Sequence, residues 1–547
     1  MKILLISTDV DWDVTSFDEI LKLPFVKEKA YITPLALATI AALTPDDIEV
    51  DLWDERVRGW IDDSTVFEQD YDLVGFTGYS RHLPRARQIA QIFRKRGVPV
   101  AIGGAGVTSA PEACREFFDI VFIGEAELTW PRFMADWKAG AYQREYRQIT
   151  KPDLTLSPIP RWDSIANDMN SYLVGAVQTA RGCPFDCEFC DVAYLYGHRP
   201  RHKPIDKVLE EVRVLEQLGM QTVSFCDDNF IGNPRYTKEL LRELIPLNQS
   251  FRNPMNFYTE LSINVAKDDE LLEMLADANF GLITIGIETP NKESLLETNK
   301  LHNYSADLIS DISKIQSYGM AIRAAMIVGF DHDDKTIFDQ HFEFLQEASI
   351  PLIATHILRA EIGTKLWRRL SQEGRIVLDE EHEIYANHQG ANTNIIPARM
   401  TRVELFSGYL NMVEKLSEWR NFEKRVTGFL SGIKREPNIS QKKEANQAQV
   451  SPEVLKYLLF SVDEEARDAI FRIIQHTRRH APFMRQTVMG IIVRQLARVA
   501  MLRGVRKSLR ERIELESSEV FKLDIDQPDI LLPEKVEAGR EMLKAIE

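Results

Sequence analysis

Three of the chain's five cysteines, Cys183, Cys187 and Cys190, fall within eight residues. No other feature narrows the choice of fold as much. The segment reads Thr179-Ala180-Arg181-Gly182-Cys183-Pro184-Phe185-Asp186-Cys187-Glu188-Phe189-Cys190 and follows directly on a β-rich run at 173–179. The apolar run at the N-terminus is too short for a signal peptide, and a long chain without one does not build a disulfide scaffold from clustered cysteines. Metal binding is the better reading. Three thiolates in one loop can hold three irons of a cubane cluster. No fourth cysteine lies nearby, since Cys226 belongs to another strand, so one iron is left open to a small molecule. The alternative is a structural zinc site completed by a distant His198 or His202, which would need a closed tetrahedron. Cys114 and Cys226 read as small buried residues.

The rest of the chain supplies a frame for that loop. Before a proline-containing break at 151–168, short apolar runs at 2–7, 49–52, 73–77, 98–102 and 120–123 alternate with helical segments. One of these helices spans 33–43, with Thr33 as its N-cap and Pro34 in the first turn; another spans 85–96. Such alternation predicts a parallel sheet covered on both faces. From 173 to about 358 it continues, with strands at 173–179, 222–226, 256–260, 282–287, 324–328 and 352–358. Helices are expected at 205–218, 237–244, 268–277 and 306–318. Six β/α units suit a barrel or partial barrel. Right-handed crossovers place every strand's C-terminal end, and so the ligands, on one face. After about 390 the strand pattern fades into charged helix, with a polar break at 434–452.

The Cys-x3-Cys-x2-Cys spacing, with the aromatic Phe189 before the last cysteine, resembles the signature of the radical S-adenosylmethionine superfamily. That resemblance covers roughly 170–385. It implies a [4Fe–4S] cluster on Cys183, Cys187 and Cys190, with the open iron chelated by the methionine end of S-adenosylmethionine. It also implies cofactor contacts from Phe189, from Asp227 and Asp228 after the second barrel strand, and from Glu260 and Ser262 after the third. Gly286-Ile287-Glu288 matches the family's fourth-strand pattern. Arg323, on the fifth strand, is the expected partner of the cofactor carboxylate, which arginine can bind bidentately. For Glu260 and Arg323 the plainer reading is a surface salt bridge.

Residues 1–150 resemble the cobalamin-binding domain that precedes the barrel in one branch of this superfamily, the branch that includes hopanoid lipid methylases and cyclases. The resemblance rests on Thr33-Pro34-Leu35-Ala36-Leu37-Ala38, Asp54-Glu55-Arg56-Val57, Gly78-Tyr79-Ser80, Gly103-Gly104-Ala105-Gly106-Val107-Thr108, Pro111-Glu112 and Gly124-Glu125-Ala126-Glu127. Each cluster lies near a strand C-terminus, where open α/β sheets bind ligands. The resemblance implies that Ser80, Gly103, Gly104, Gly124 and Glu125 face cobalamin. The Asp-x-His-x-x-Gly signature that supplies a histidine to cobalt in many cobalamin proteins does not occur, and His82 reads as a surface residue. The plainer reading of 1–150 is a Rossmann-like module that no longer binds cobalamin.

The expected architecture is therefore α/β: a Rossmann-like cobalamin-binding domain at 1–150, a linker at 151–168, a partial (β/α)6 TIM-type radical barrel at 169–388, and a mostly helical C-terminal domain at 389–547. The net charge of −16 argues against nucleic acid as the main partner. Within that acidic chain, 478–512 carries ten Lys/Arg against the single acid Glu511, with Val488, Met489, Ile492, Leu496, Val499 and Leu502 near helical spacing. A basic amphipathic helix is a candidate for peripheral contact with a membrane surface; the plainer reading is a helix packed on its own domain. The expected location is cytoplasmic, with or without that contact.

The family resemblance implies an external electron donor of flavodoxin or ferredoxin type and a 5′-deoxyadenosyl radical that abstracts hydrogen from an unactivated carbon. The leading expectation is cobalamin-dependent methylation of a small, lipid-like substrate. The rivals are radical oxidative cyclisation or rearrangement without methyl transfer, and a non-catalytic cobalamin-binding sensor. Methylthiolation would usually need a second three-cysteine group, which the chain does not have.

Overall fold

A computed structural model describes residues 1–9, 17–67, 69–377, 392–436 and 452–517. The first strand, β1 (Lys2–Ser7), shows why a doubly covered sheet forms. Ile3 and Leu5 pack to one side with Leu37, Ala38 and Trp130. Leu4 and Ile6 pack to the other with Ile89 and Phe93. A strand apolar on both faces can be stable only between two layers of helix.

In chain order the strands that follow are β2 (Ala30–Ile32), β3 (Glu49–Asp54), β4 (Leu73–Thr77), β5 (Val100–Gly103), β6 (Ile120–Ile123) and β7 (Glu145–Arg147). Next come β8 (Tyr172–Val177), the short hairpin of β9 (Ala180–Arg181) and β10 (Arg201–His202), β11 (Thr222–Phe225) and β12 (Asn256–Leu261). The last are β13 (Phe280–Glu288), β14 (Ala321–Val328) and β15 (Leu352–Ile357). One sheet runs β3-β1-β4-β5-β6-β7 and is parallel throughout. Its order reverses at β1, so the crevice between the ends of β1 and β4 is a ligand-binding switch point.

The second sheet runs β15-β14-β13-β12-β11-β8-β2, also parallel. Its six long strands are the expected barrel strands, offset by at most a few residues. The seventh, β2, comes from the N-terminal region and covers the β8 edge, which would otherwise present unpaired backbone groups. This strand also corrects the expected cap at Thr33. The Thr33 hydroxyl accepts the Ala176 N–H at 3.0 Å, and its own N–H donates to Val174 O at 3.0 Å. Thr33 thus continues the ladder onto β8. The helix Leu35–Leu43 begins after Pro34 with no side-chain cap.

Beyond the barrel the described chain is helical: Arg402–Ser417, Trp419–Gly432, Pro452–Phe460, Glu464–His480 and Arg485–Ser517. Residues 437–451 of the polar break at 434–452, and the expected domain limit at 388–389, lie outside the described residues. The last helix lies across the N-terminal ends of the barrel strands. Val488, Ile491, Ile492 and Leu496 are buried with Tyr31, Tyr258, Ala321 and Leu352. Arg498 donates to Ile353 O at 2.6 Å, and Arg506 pairs with Glu414 at 2.5 Å. The apolar stripe that made 478–512 a membrane candidate therefore closes the floor of the barrel, leaving Arg503, Lys507 and Arg510 exposed. Among the described residues, no helix is long and apolar enough to cross a membrane.

Candidate active site

The cysteine loop leaves β8 and is fastened from both sides. From the β11 side, Asp227 accepts the N–H groups of Thr179 at 2.6 Å and Ala180 at 3.1 Å, together with the Thr179 hydroxyl. Asp228 accepts the Gly182 N–H at 2.7 Å. At Gly182 φ is +97°, and a Cβ would stand 2.9 Å from Gly197 O, so only glycine makes this turn easily. The family resemblance points both carboxylates at the cofactor. Asp227 instead has both oxygens engaged with the loop, and Asp228 has one. Burial raises both pKa values, Asp227 to about 6 and Asp228 to about 7.

From the other side the loop rests on the segment after β13. The Glu188 N–H donates to Thr298 O at 2.9 Å, and Asn299 Nδ2 donates to Asp186 O at 3.0 Å. The Phe185 ring stacks on His302 with 3.7 Å between centroids. Arg369 holds the Glu188 carboxylate at 2.7 Å. Phe189 turns toward Phe330, with ring centroids 5.9 Å apart.

Burial pushes all three thiols above the ordinary cysteine range, Cys190 most of all. A cation bound there, such as iron, would favour their ionised form. Among the described residues, no group of three His, Cys, Asp or Glu converges on a single metal ion. A cubane does not ask for such a group, because its cysteines each bind a different iron. The zinc alternative's distant histidines have other neighbours. His198 Nδ1 lies 3.3 Å from Phe185 O, and the His202 ring lies tilted against Tyr236, with 4.2 Å between centroids.

The loop opens onto the barrel interior. Glu260, Thr284 and Arg323 stand in register on three adjacent strands. Glu260 is open to solvent, yet loss of hydration raises its pKa against the pull of Arg323. A side chain that is accessible and poorly hydrated looks into a hollow, not bulk water. His356 shares it, held neutral by burial and by Arg323, with its pKa lowered to about 4. Arg323 is the third residue of β14, well below the strand's C-terminal end. The Ser262 hydroxyl is 3.1 Å from Asn229 Nδ2 and also bonds Asn264. Cys114 is buried as expected, but Cys226 is only partly so and its thiol, raised to about 12, borders this hollow. Asp191 and Glu361 add two more carboxylates raised by burial. This ring of acids suits a cationic molecule such as one carrying a sulfonium and an amine.

The C-terminal edge of the first sheet faces the same hollow. Tyr79, just after β4, is 58% exposed. Its hydroxyl is nonetheless raised to about 12, first by burial and then by the Cys226, Asp191 and Asp228 charges of the barrel. The glycines of this edge make room for close packing within the protein, Gly104 and Gly106 against backbone and Gly103 and Gly124 against side chains. A Cβ on Gly104 would lie 2.8 Å from Gly78 O, and one on Gly106 would lie 2.4 Å from Ser80 N. A Cβ on Gly103 would meet Phe122, and one on Gly124 would meet Gln148. These contacts shape the rim of the switch-point crevice.

Thr8, at the end of β1 in that crevice, is 5% exposed and its hydroxyl has no partner among the described residues, so a polar ligand group fits there. His82 Nδ1 accepts the Tyr79 N–H at 3.0 Å, and burial lowers its pKa to about 4. Glu125, expected at the cobalamin, is an inter-sheet latch. Its oxygens lie 2.9 Å from Arg181 and 2.9 Å from Arg201, on the hairpin that carries the cysteine loop. Glu127 reinforces Arg181 at 2.7 Å.

An open α/β crevice set against a partial barrel with three cysteines after its first strand defines a radical S-adenosylmethionine enzyme with a cobalamin-binding domain, and comparison with known proteins places the chain in that family. The B12 binding domain model matches 22–133, the Radical SAM superfamily model 177–345, and a domain of unknown function, DUF4070, 364–512. An uncharacterized methyltransferase of Synechocystis is 34% identical over 389 residues, 70% of each chain. The hopanoid C-2 methylase of Rhodopseudomonas palustris is 32% identical over 360 residues, 65% of this chain and 67% of its own.

Solved structures share the fold. The cobalamin-dependent S-adenosylmethionine radical enzyme OxsB superposes with a TM-score of 0.58 at 13% identity, over 96% of this chain and 82% of its own. The radical S-adenosylmethionine methyltransferase TsrM of Kitasatospora setae gives 0.56 at 16% identity, over 68% and 76%. The chain is thus an enzyme of this family, with a [4Fe–4S] cluster, S-adenosylmethionine and cobalamin as its cofactors.

Proposed function

We propose that this enzyme transfers a methyl group to an unactivated carbon of a small, lipid-like molecule. The observation that carries the reading is the facing of two strand-end edges across one hollow: Tyr79 of the cobalamin-type crevice on one side, Cys226 and Asp228 of the barrel on the other. When bound, the cluster supplies the electron that splits S-adenosylmethionine into methionine and a 5′-deoxyadenosyl radical, and cobalamin carries the methyl group between donor and substrate. The protein's part is to bind, orient and exclude water.

In this reading Cys183, Cys187 and Cys190 hold the cluster, and Phe189 covers it. Asp227 and Asp228 position the loop, while Glu260, Ser262 and Arg323 line the hollow beneath the methionine end of the cofactor. Ser80, Gly103, Gly104 and Gly124 form the rim against cobalamin, and Glu125 fixes that rim to the cluster hairpin. Residues 1–150 act as the methyl-carrier domain, 151–168 as linker, 169–388 as the radical barrel, and the described helices of the C-terminal domain at 389–547 as its closure. The electron comes from a flavodoxin- or ferredoxin-type donor of the cytoplasm. Any membrane contact rests on the exposed Arg503, Lys507 and Arg510, because the apolar face of their helix is buried.

Cells expressing the chain and fed methionine with a deuterated methyl group test this reading while the substrate is still unidentified. The expected result is a lipid-extract species that carries the intact label and vanishes in the Cys187→Ala variant. Substrate-dependent release of 5′-deoxyadenosine with no labelled product would replace it by a radical reaction without methyl transfer.

A further inference from the structure

The bed of the cysteine loop contains a buried cation. Lys300 is 7% exposed and Glu288, at the end of β13, is 5% exposed. The two form an ion pair. Lys300 also reaches the cysteine loop: its Nζ stands 5.8 Å from the ring centroid of Phe189, one of the two residues between Cys187 and Cys190. Burial works against the ammonium, but the paired Glu288 carboxylate holds Lys300 in its charged form.

The arrangement is held rigidly. The turn before Lys300 is pinned to the loop by the Glu188–Thr298 and Asn299–Asp186 bonds, and Asn299 sits at φ +57°. Gly286 leaves room for the pair, since a Cβ there would lie 2.9 Å from Lys300 Nζ and 2.5 Å from Glu288 Oε1. Water is displaced from both charges, so neither salt nor solvent screens them as it would at the surface.

We propose that Lys300 is a positioning residue for cluster electronics: its buried ammonium makes the cluster easier to reduce, and Glu288 sets how much of that charge the cluster feels. The inference rests on the cluster assignment made above. In the step concerned, one electron from the external donor enters the oxidised cluster, no bond forms or breaks, and the cluster becomes one unit more negative. A fixed positive charge beside it favours that product. The neighbouring carboxylate opposes it and is partly cancelled by the pair.

The test is a potentiometric titration, followed by electron paramagnetic resonance, of anaerobically reconstituted full-length protein without S-adenosylmethionine. In the Lys300→Gln variant the reduced-to-oxidised ratio at the wild-type midpoint should fall about tenfold, which is 59 mV for a one-electron couple. Lys300→Arg should stay near wild type. Glu288→Gln, which leaves the ammonium uncompensated, should move the ratio the other way. Iron and sulfide content would establish that each variant holds its cluster. If Lys300→Gln loses iron, the direction of the Glu288→Gln shift decides alone. A full cluster whose reduced-to-oxidised ratio at the wild-type midpoint stays within twofold in Lys300→Gln, or a Glu288→Gln shift in the same direction as Lys300→Gln, would overturn this proposal alone. A wild-type protein that takes up no iron would overturn it together with the cluster assignment.

Discussion

Replacing Glu125 by glutamine should loosen the cluster hairpin without touching a cysteine. The Glu125 carboxylate has a side-chain exposure of 3% and bridges Arg181 and Arg201, each at 15%. Removing one partner of a buried ion pair costs about 3–5 kcal/mol, because the other charge stays buried and uncompensated. Here the arginines keep other partners. Arg181 retains Glu127 at 2.7 Å, and Arg201 retains the carbonyls of Pro152 at 2.7 Å and Tyr196 at 3.3 Å. The lower end, about 3 kcal/mol, therefore applies. At roughly 1.4 kcal/mol per tenfold, the equilibrium for opening the hairpin should shift about 100-fold. Hydrogen exchange of backbone amides at 178–182 and 201–203 reports that opening. The expected result is exchange about 100-fold faster at those segments, with β4 and β12 unchanged. Equal exchange in variant and wild type, or acceleration spread evenly over the chain, would refute the latch.

Other perturbations test neighbouring parts. Gly106→Ala forces a methyl group against the Tyr79–Ser80 backbone, at 2.4 Å from Ser80 N; it should cost about 1–3 kcal/mol in urea unfolding and weaken cobalamin binding in a spectroscopic titration. Asp228 has a folded pKa raised to about 7 against an ordinary aspartate value of 3.8. The folded apo-protein thus keeps a proton that the unfolded chain releases, so this group's contribution falls as pH rises through that window. Asp228→Asn should remove that dependence, making the variant more stable than wild type at pH 8 and the two alike near pH 4; parallel urea-midpoint profiles would refute it. Cys183→Ala, Cys187→Ala or Cys190→Ala should each abolish the cluster's charge-transfer absorbance while leaving the far-ultraviolet circular dichroism unchanged.

The parts of the molecule that the sequence revealed are local ones. The cysteine spacing, the apolar runs of the strands and the break at 151–168 each lie within a few residues, and their periodicity survives whatever the rest of the chain does. What stayed hidden depends on distant partners. β2 is three residues long, too short for a pattern, and exists because β8 offers an edge. Glu125 stood out as part of a glycine-rich cluster, but its role comes from Arg201, 76 residues away. Asp227 and Asp228 were legible as residues at a strand end. Their hydrogen bonds to the loop backbone, both oxygens of Asp227 and one of Asp228, depend on the turn at Gly182. The amphipathic pattern of 478–512 was equally legible, yet periodicity alone does not say whether a membrane or a barrel floor covers an apolar stripe. Lys300 gave no sequence signal beyond following the Gly286-Ile287-Glu288 strand.

The central claim is that the radical site and the methyl carrier act on one substrate in one hollow. It is tested most directly by anaerobic turnover of the fully loaded enzyme with S-adenosylmethionine deuterated at the methyl group and the species identified by labelled feeding. The account predicts one S-adenosylhomocysteine and one 5′-deoxyadenosine for each labelled product, with both falling away in Cys187→Ala. Release of 5′-deoxyadenosine without S-adenosylhomocysteine would contradict methyl transfer. Release of neither, from protein with its full iron and cobalt, would contradict catalysis altogether.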